Sequence, residues 1–181
     1  MFTIVNYLEI IKILEYNMEM NEFYIFRHGE TDVTKNHLST YSDHLFDAPI
    51  LPEFIPSIQK MGGFLKNIPS QMNFSSEILR CRQTVEIVSQ VADKKFEFDS
   101  RLNEVLPEES ITDLAFRTAD FLNDLKKYNS QTVMICTHGV IIAALASLAV
   151  KNRFTDEEYN IFPLPGVIWR ITDKIEEVFK I

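Results

Sequence analysis

From Gln131 to Val150 the chain carries no Asp, Glu, Lys or Arg. A run of that length either spans a bilayer or is buried inside a globular protein. Thr137, His138 and Gly139 interrupt it. That interruption favours a buried strand, Thr132 to Cys136, then a tight turn, then a buried helix from Val140. Central strands of α/β proteins are covered on both faces and read as unbroken apolar runs in this way. On this reading Ile141-Ile142-Ala143-Ala144-Leu145 is core and not a membrane anchor. A second strand, Phe23-Tyr24-Ile25-Phe26, runs into Arg27-His28-Gly29. Two strands therefore end in the same way: a polar residue, a histidine, then a glycine.

The intervening elements fit the same class. Ile55, Ile58, Met61 and Leu65 fall at helical spacing after Pro49 and Pro52, and Pro56 is tolerable only in a first turn. Gly62-Gly63 weakens the second half of that helix. Met72 to Ser75 reads as a short strand and Ile78 to Val91 as a helix with Ile78, Val85, Val88 and Val91 inward. Lys95 to Asp99 alternates like a strand, and Asp113 to Tyr128 is amphipathic, with Leu114, Phe121 and Leu125 on one face. Thr31 to Asp47 is polar loop. Gly166 to Thr172 and Ile175 to Ile181 read as a hairpin or two sheet-edge strands around Asp173-Lys174. Asp156-Glu157-Glu158 is expected to be a solvated helix start. Strands alternating with helices predict a three-layer α/β/α sandwich with a mostly parallel central sheet.

The 181 residues suit one domain, taken as 21–181. Residues 1–20 read as an N-terminal extension. They are either an amphipathic helix with Val5, Leu8, Ile11 and Leu14 aligned, or an artefact if Met18 or Met20 is the start. They lack a basic n-region, and Glu9, Lys12 and Glu15 break the apolar run, so no secretory signal is read there. Eighteen Lys and Arg against 26 Asp and Glu give a net charge of −8. That surface repels phosphate backbones and argues against a nucleic-acid partner; no membrane partner is expected. Cys81 and Cys136 form no CxxC and read as small core hydrophobes in a reducing, cytoplasmic setting.

In an open α/β sheet, ligands bind at the carboxyl ends of the strands. His28 and His138 both follow such ends and face one crevice if their strands are neighbours. Arg80, in Glu77-Ile78-Leu79-Arg80-Cys81-Arg82-Gln83-Thr84, opens the helix after the next strand. Two arginines and two histidines beside a helix N-terminus suit an oxyanion, and a phosphoryl group above all.

Arg27-His28-Gly29-Glu30-Thr31 resembles the signature of the histidine phosphatase superfamily, in its phosphoglycerate-mutase-like branch. Ser75-Ser76-x-x-Leu79-Arg80-x-x-Gln83-Thr84 is similar to that family's second motif, Thr137-His138-Gly139 to its third, and Arg101-Leu102-Asn103-Glu104 to the segment carrying its proton donor. Four ordered motifs are far more specific than one RHG. The resemblance implies a metal-independent phosphoric monoester hydrolase of the histidine acid phosphatase type, with no cofactor. His28 would be the nucleophile and form a phosphohistidine. Arg27, Arg80 and protonated His138 would hold the phosphoryl oxygens. Glu104, entering protonated, would serve as acid and then base, with Glu108 or Glu109 as substitutes. The substrate would be a small phosphorylated metabolite or a phosphoprotein.

Two departures from the family pattern carry weight. Thr34 stands where the family usually has Asn; its hydroxyl can still donate to phosphate. Val105-Leu106-Pro107-Glu108-Glu109 runs almost directly into the next helix, so the lid is short. A mutase must retain its monophosphate and exclude water, so an open pocket favours hydrolysis. Further readings are a phosphohistidine-protein phosphatase in signalling, a non-catalytic phosphoryl-binding module, and a phosphoglycerate mutase. Glu30 is read as structural, Arg82 as outside the site, Lys35 as either a lysine that greets an anionic substrate or a merely exposed one, and His37 and His44 as solvated loop residues.

Overall fold

A computed structural model describes residues 22–36, 46–70, 72–126 and 132–181. Residues 1–20, His37, His44 and the end of the helix expected to reach Tyr128 lie outside them. In chain order come β1 (Glu22–Arg27), a single turn α1 (Asp32–Lys35) and α2 (Ile55–Lys66), the last entered through a 3-10 turn at Pro52–Phe54. Then follow β2 (Met72–Ser75), α3 (Leu79–Ala92), β3 (Glu97–Phe98), a 3-10 turn at Ser100–Leu102 and α4 (Ile111–Leu125). The chain continues through β4 (Thr132–Thr137), α5 (Gly139–Lys151), β5 (Val167–Ile171) and β6 (Ile175–Lys180). The six strands form one sheet in the order β3-β2-β4-β1-β5-β6. The first four are mutually parallel, and β5 and β6 are added antiparallel.

Alternation along the strands divides the interior into two cores. Phe23, Ile25, Val133 and Ile135 face α4 and α5 with Leu114, Phe121, Ile141 and Leu145. Phe26, Met134 and Cys136 face α2 and α3 with Ile58, Met61, Leu65, Val85 and Val88. The expected three-layer α/β/α sandwich with a mostly parallel central sheet is thus present. β1 and β4 read as continuous apolar runs because both of their faces are covered.

Local chemistry explains the boundaries. Pro56 sits in the first turn of α2, where its missing N–H has no intrahelical acceptor to reach. Gly62 does not end that helix. A Cβ there would lie 2.9 Å from Val91 Cβ, so the glycine lets α2 and α3 approach closely. β3 is shorter than its alternating sequence implies, because only Glu97 and Phe98 pair with β2. Val91 is only partly buried. β5 and β6 form the expected hairpin, with a register shift between Ile168 and Trp169.

Residues 156–160 are turns and not a helix start. Glu158 is 4% exposed, contrary to the solvated reading. Its carboxylate accepts from Thr155 N–H at 3.1 Å, Thr155 Oγ1 at 2.6 Å and Lys151 Nζ at 3.2 Å. These donors hold its pKa down to about 2. Cys81 and Cys136 are unpaired and fully buried. Among the described residues no helix is long and apolar enough to cross a membrane.

Candidate active site

The register of β1 on β4 sets the site. Arg27 lies opposite Thr137, so His28 and His138 leave neighbouring parallel strands at the same level. His28 N–H donates to Thr137 O at 3.1 Å, and Ser76 N–H donates to Cys136 O at 3.0 Å. Three strand ends thus open side by side. The two imidazole centroids are 5.2 Å apart.

His28 is 1% exposed. Its Nδ1 lies 2.8 Å from Gly29 O. A carbonyl can only accept, so Nδ1 carries the proton and Nε2 presents its lone pair, which accepts from Arg80 Nε–H at 3.0 Å. Burial first, then the positive charges of Arg80 and Arg27, keep its pKa well below 6.5. The ring is therefore neutral at pH 7, as a nucleophile must be. Gly29 N–H donates to Thr84 Oγ1 at 2.8 Å, and that hydroxyl donates to Arg80 O at 2.7 Å, tying the β1 turn to α3. A Cβ on Gly29 would meet Ile58 Cδ1 at 2.7 Å.

Arg80 is the second residue of α3 and is 4% exposed. Besides His28 it reaches His138 Nδ1 at 3.0 Å and Glu104 Oε2 at 3.2 Å, both through Nη2. Glu104 Oε2 is also 3.4 Å from His138 Nδ1. His138 Nε2 lies 2.8 Å from Ser76 Oγ. Burial, Arg80, His28 and Arg27 push the His138 pKa well below 6.5. The sequence expectation is a protonated His138; in this structure the ring is neutral at pH 7, and a phosphoryl dianion would have to draw the proton in.

Arg27 is half-buried, with its guanidinium 5.2 Å from the Phe162 ring centroid. Its Nε is buried and has no hydrogen-bond partner among the described residues. Burial lowers its pKa, Glu104 opposing and Arg80 reinforcing the effect.

Glu104 follows the 3-10 turn at Ser100–Leu102, which Thr137 Oγ1 fastens to β4 by donating to Leu102 O at 2.6 Å. Its rivals lie elsewhere: Glu108 is exposed, and Glu109 is bound to Arg117, with Nη2–Oε2 at 2.8 Å. Only residues 105–110 separate Glu104 from α4. Part of that stretch is a turn closed by Glu109 N–H to Leu106 O at 3.0 Å.

Thr34 is placed differently from expectation. Its hydroxyl donates to Thr31 O at 3.0 Å and accepts from Thr31 N–H at 2.8 Å, closing a capping box on α1. No hydrogen bond among the described residues links it to the histidines. Arg82 lies over Phe98 and donates to Glu77 O, outside the cluster. Lys35 pairs with Glu53. Among the described residues no group of three or more His, Cys, Asp or Glu side chains is placed to hold a metal ion.

Residues 23–106 match the family model of the histidine phosphatase superfamily, branch 1. Over that segment, which carries Arg27, His28, Arg80 and Glu104, the chain is similar to the histidine phosphatase superfamily. Solved structures with this fold include an alpha-ribazole phosphatase from Shigella flexneri, 16% identical, with TM-score 0.72, 86% of this chain covered and 95% of that one. A phosphoglycerate mutase from Bacillus anthracis is 16% identical, with TM-score 0.68 and coverage of 88% and 92%. The protein histidine phosphatase SixA, complexed with tungstate, is 18% identical, with TM-score 0.60 and coverage of 86% and 93%. No curated protein sequence gives a significant match.

Beyond the residues singled out from sequence, this histidine phosphatase fold draws Ser76, Asn103 and Thr84 into the cluster. Ser76 and Thr84 lie inside the second motif, directly after β2 and one turn beyond Arg80. Asn103 precedes Glu104, and nothing in its spacing points to Ser76.

Proposed function

We propose that the protein is a metal-independent phosphomonoesterase acting through a phosphohistidine on His28, in a cytoplasmic setting. The observation that carries this reading is the state of His28: buried, neutral, with Nδ1 committed to Gly29 O and Nε2 left unprotonated, its lone pair directed at Arg80 Nε–H, which a phosphoryl group would have to displace. In the first step Nε2 attacks phosphorus, the P–O bond to the leaving group breaks, and Glu104, which takes up a proton when the phosphate dianion binds beside it and draws Arg80 away, gives that alkoxide its proton. In the second step the Glu104 carboxylate takes a proton from water. The oxygen attacks phosphorus, the P–N bond breaks, and inorganic phosphate leaves. Arg80, Arg27 and a protonated His138 offset the charge on the phosphoryl oxygens. The orphaned Nε–H of Arg27 supports this, because a buried donor without an acceptor calls for a partner.

The short segment between Glu104 and α4 favours hydrolysis over phosphoryl retention and supports a phosphohistidine protein as a second substrate class. The protein histidine phosphatase among the structural relatives is consistent with it.

The test is hydrolysis of an aryl phosphate from pH 4 to 8, with acid-quenched trapping of the phosphoenzyme. His28→Ala should abolish both turnover and trapped phosphate. Substantial activity in that variant removes His28 from its role. Absence of turnover by the wild type on aryl phosphate, phosphorylated metabolites and a phosphohistidine protein alike points to a binding module instead.

A further inference from the structure

The hydrogen bonds behind His138 fix its tautomer, and two residues without a role in the proposed chemistry do the fixing. Glu77 N–H lies 2.9 Å from Asn103 Oδ1. A backbone N–H can only donate, so that amide atom is the oxygen. The opposite end agrees, since Asn103 Nδ2 donates to Glu77 Oε2 at 3.2 Å. Ser76 Oγ lies 2.9 Å from the same Oδ1. That oxygen offers only lone pairs, so the single hydroxyl proton of Ser76 points to Asn103. Ser76 Oγ is left as an acceptor, toward Ile78 N–H at 3.2 Å and His138 Nε2 at 2.8 Å. The proton on that last contact must come from the imidazole.

We infer that Ser76 and Asn103 are positioning residues that hold the His138 proton on Nε2, so that Nδ1 faces the reacting phosphoryl group. The other side of the ring agrees: Nδ1 accepts from Arg80 Nη2 at 3.0 Å, which a proton there would forbid. Ser76 and His138 are both fully buried, so water cannot replace either partner. The next proton His138 takes can enter only at Nδ1, beside Glu104 Oε2, and from there it donates to a phosphoryl oxygen. With the opposite tautomer, Nδ1–H would face the guanidinium donors of Arg80. The role of this pair in turnover rests on the proposed phosphatase reading; the tautomer does not.

The first measurement is nitrogen NMR of histidine-labelled wild-type protein at pH 7, with His138 assigned by His138→Gln. The expected spectrum has a protonated Nε2 and an unprotonated Nδ1. A protonated Nδ1 overturns the inference whatever the enzyme does, and the expected spectrum stands even if no substrate is hydrolysed. The second measurement is a double-mutant cycle of Ser76→Ala and Asn103→Leu, read by kcat/KM on aryl phosphate. Each variant should lose roughly three- to ten-fold, the scale of one hydrogen bond, chiefly in kcat. The double variant should lose no more than the worse single one, because the two act in series. Additive losses, or none, overturn the positioning role. If a variant fails to fold, the wild-type tautomer still decides.

Discussion

Arg80 holds three side chains at once, so its removal has a separable effect on each. In Arg80→Ala the phosphate pocket loses a charged donor set, worth roughly 1.5–3 kcal/mol for hydrogen bonds to charged groups. That is about 10- to 150-fold in the dissociation constant for inorganic phosphate. The buried ion pair with Glu104, 3.2 Å long and with both side chains under a tenth exposed, is broken. Removing one partner of such a pair costs about 3–5 kcal/mol, a large share of an ordinary domain's 5–15 kcal/mol. Folding of the variant must therefore be checked by circular dichroism at low temperature. Arg80 is also the second cause of the depressed pKa of both His28 and His138, after burial, so both should titrate higher without it. Arg80→Lys keeps the charge, but one ammonium cannot serve His28, His138 and Glu104 together. Its phosphate affinity should fall between wild type and alanine. The assay is calorimetric titration of each folded protein with inorganic phosphate. A folded Arg80→Ala binding within twofold of wild type refutes the placement of Arg80 on the phosphoryl group.

Glu104→Gln should impair alkyl phosphates far more than activated aryl esters, whose leaving groups need no proton; steady-state kinetics on both, with equal losses, would move the acid to another carboxyl. Because both histidines are buried with depressed pKa values, the unfolded chain binds the extra protons. Their share of stability is complete above about pH 6.5 and declines below it by up to about 1.4 kcal/mol per pH unit for each ring. Urea unfolding between pH 7.5 and 5 measures this, and His28→Asn should flatten the slope by one ring's share; an unchanged slope counts against a buried neutral His28. Gly139→Ala would put a Cβ 2.7 Å from two carbons of the Phe162 ring. Overpacking of this kind costs about 1–3 kcal/mol, and shifting the ring beside Arg27 should weaken phosphate binding as well; an unaltered Tm would contradict that packing.

Features that depend on local periodicity were legible in the sequence. β1 and β4 follow from apolar runs with no room for charge, α2 from its four apolar positions and an early proline, and the hairpin from Asp173-Lys174. The joint placement of His28, Arg80 and His138 follows from strand-then-motif order, because parallel strands deliver their carboxyl ends to one edge. What was hidden depends on contacts distant in sequence or on competition between local bonds. Glu158 reads as a surface acid within an acidic run, yet Thr155 folds back to cap it. Thr34 has the right chemistry for phosphate but spends its hydroxyl on Thr31. Ser76 and Asn103 meet across 27 residues, and no spacing rule connects them. β3 shrank to two residues because alternation in a sequence does not supply a partner strand.

The two margins of the sheet have a consequence for the protein in concentrated solution. One margin is β3, only two residues long, with the Arg82 guanidinium lying 4.1 Å above Phe98. The other is β6, which carries Glu176, Glu177 and Lys180. A strand from a second molecule finds too few free amides on the first side and a row of charges on the second. Both are devices that keep open sheets from templating one another into fibrils.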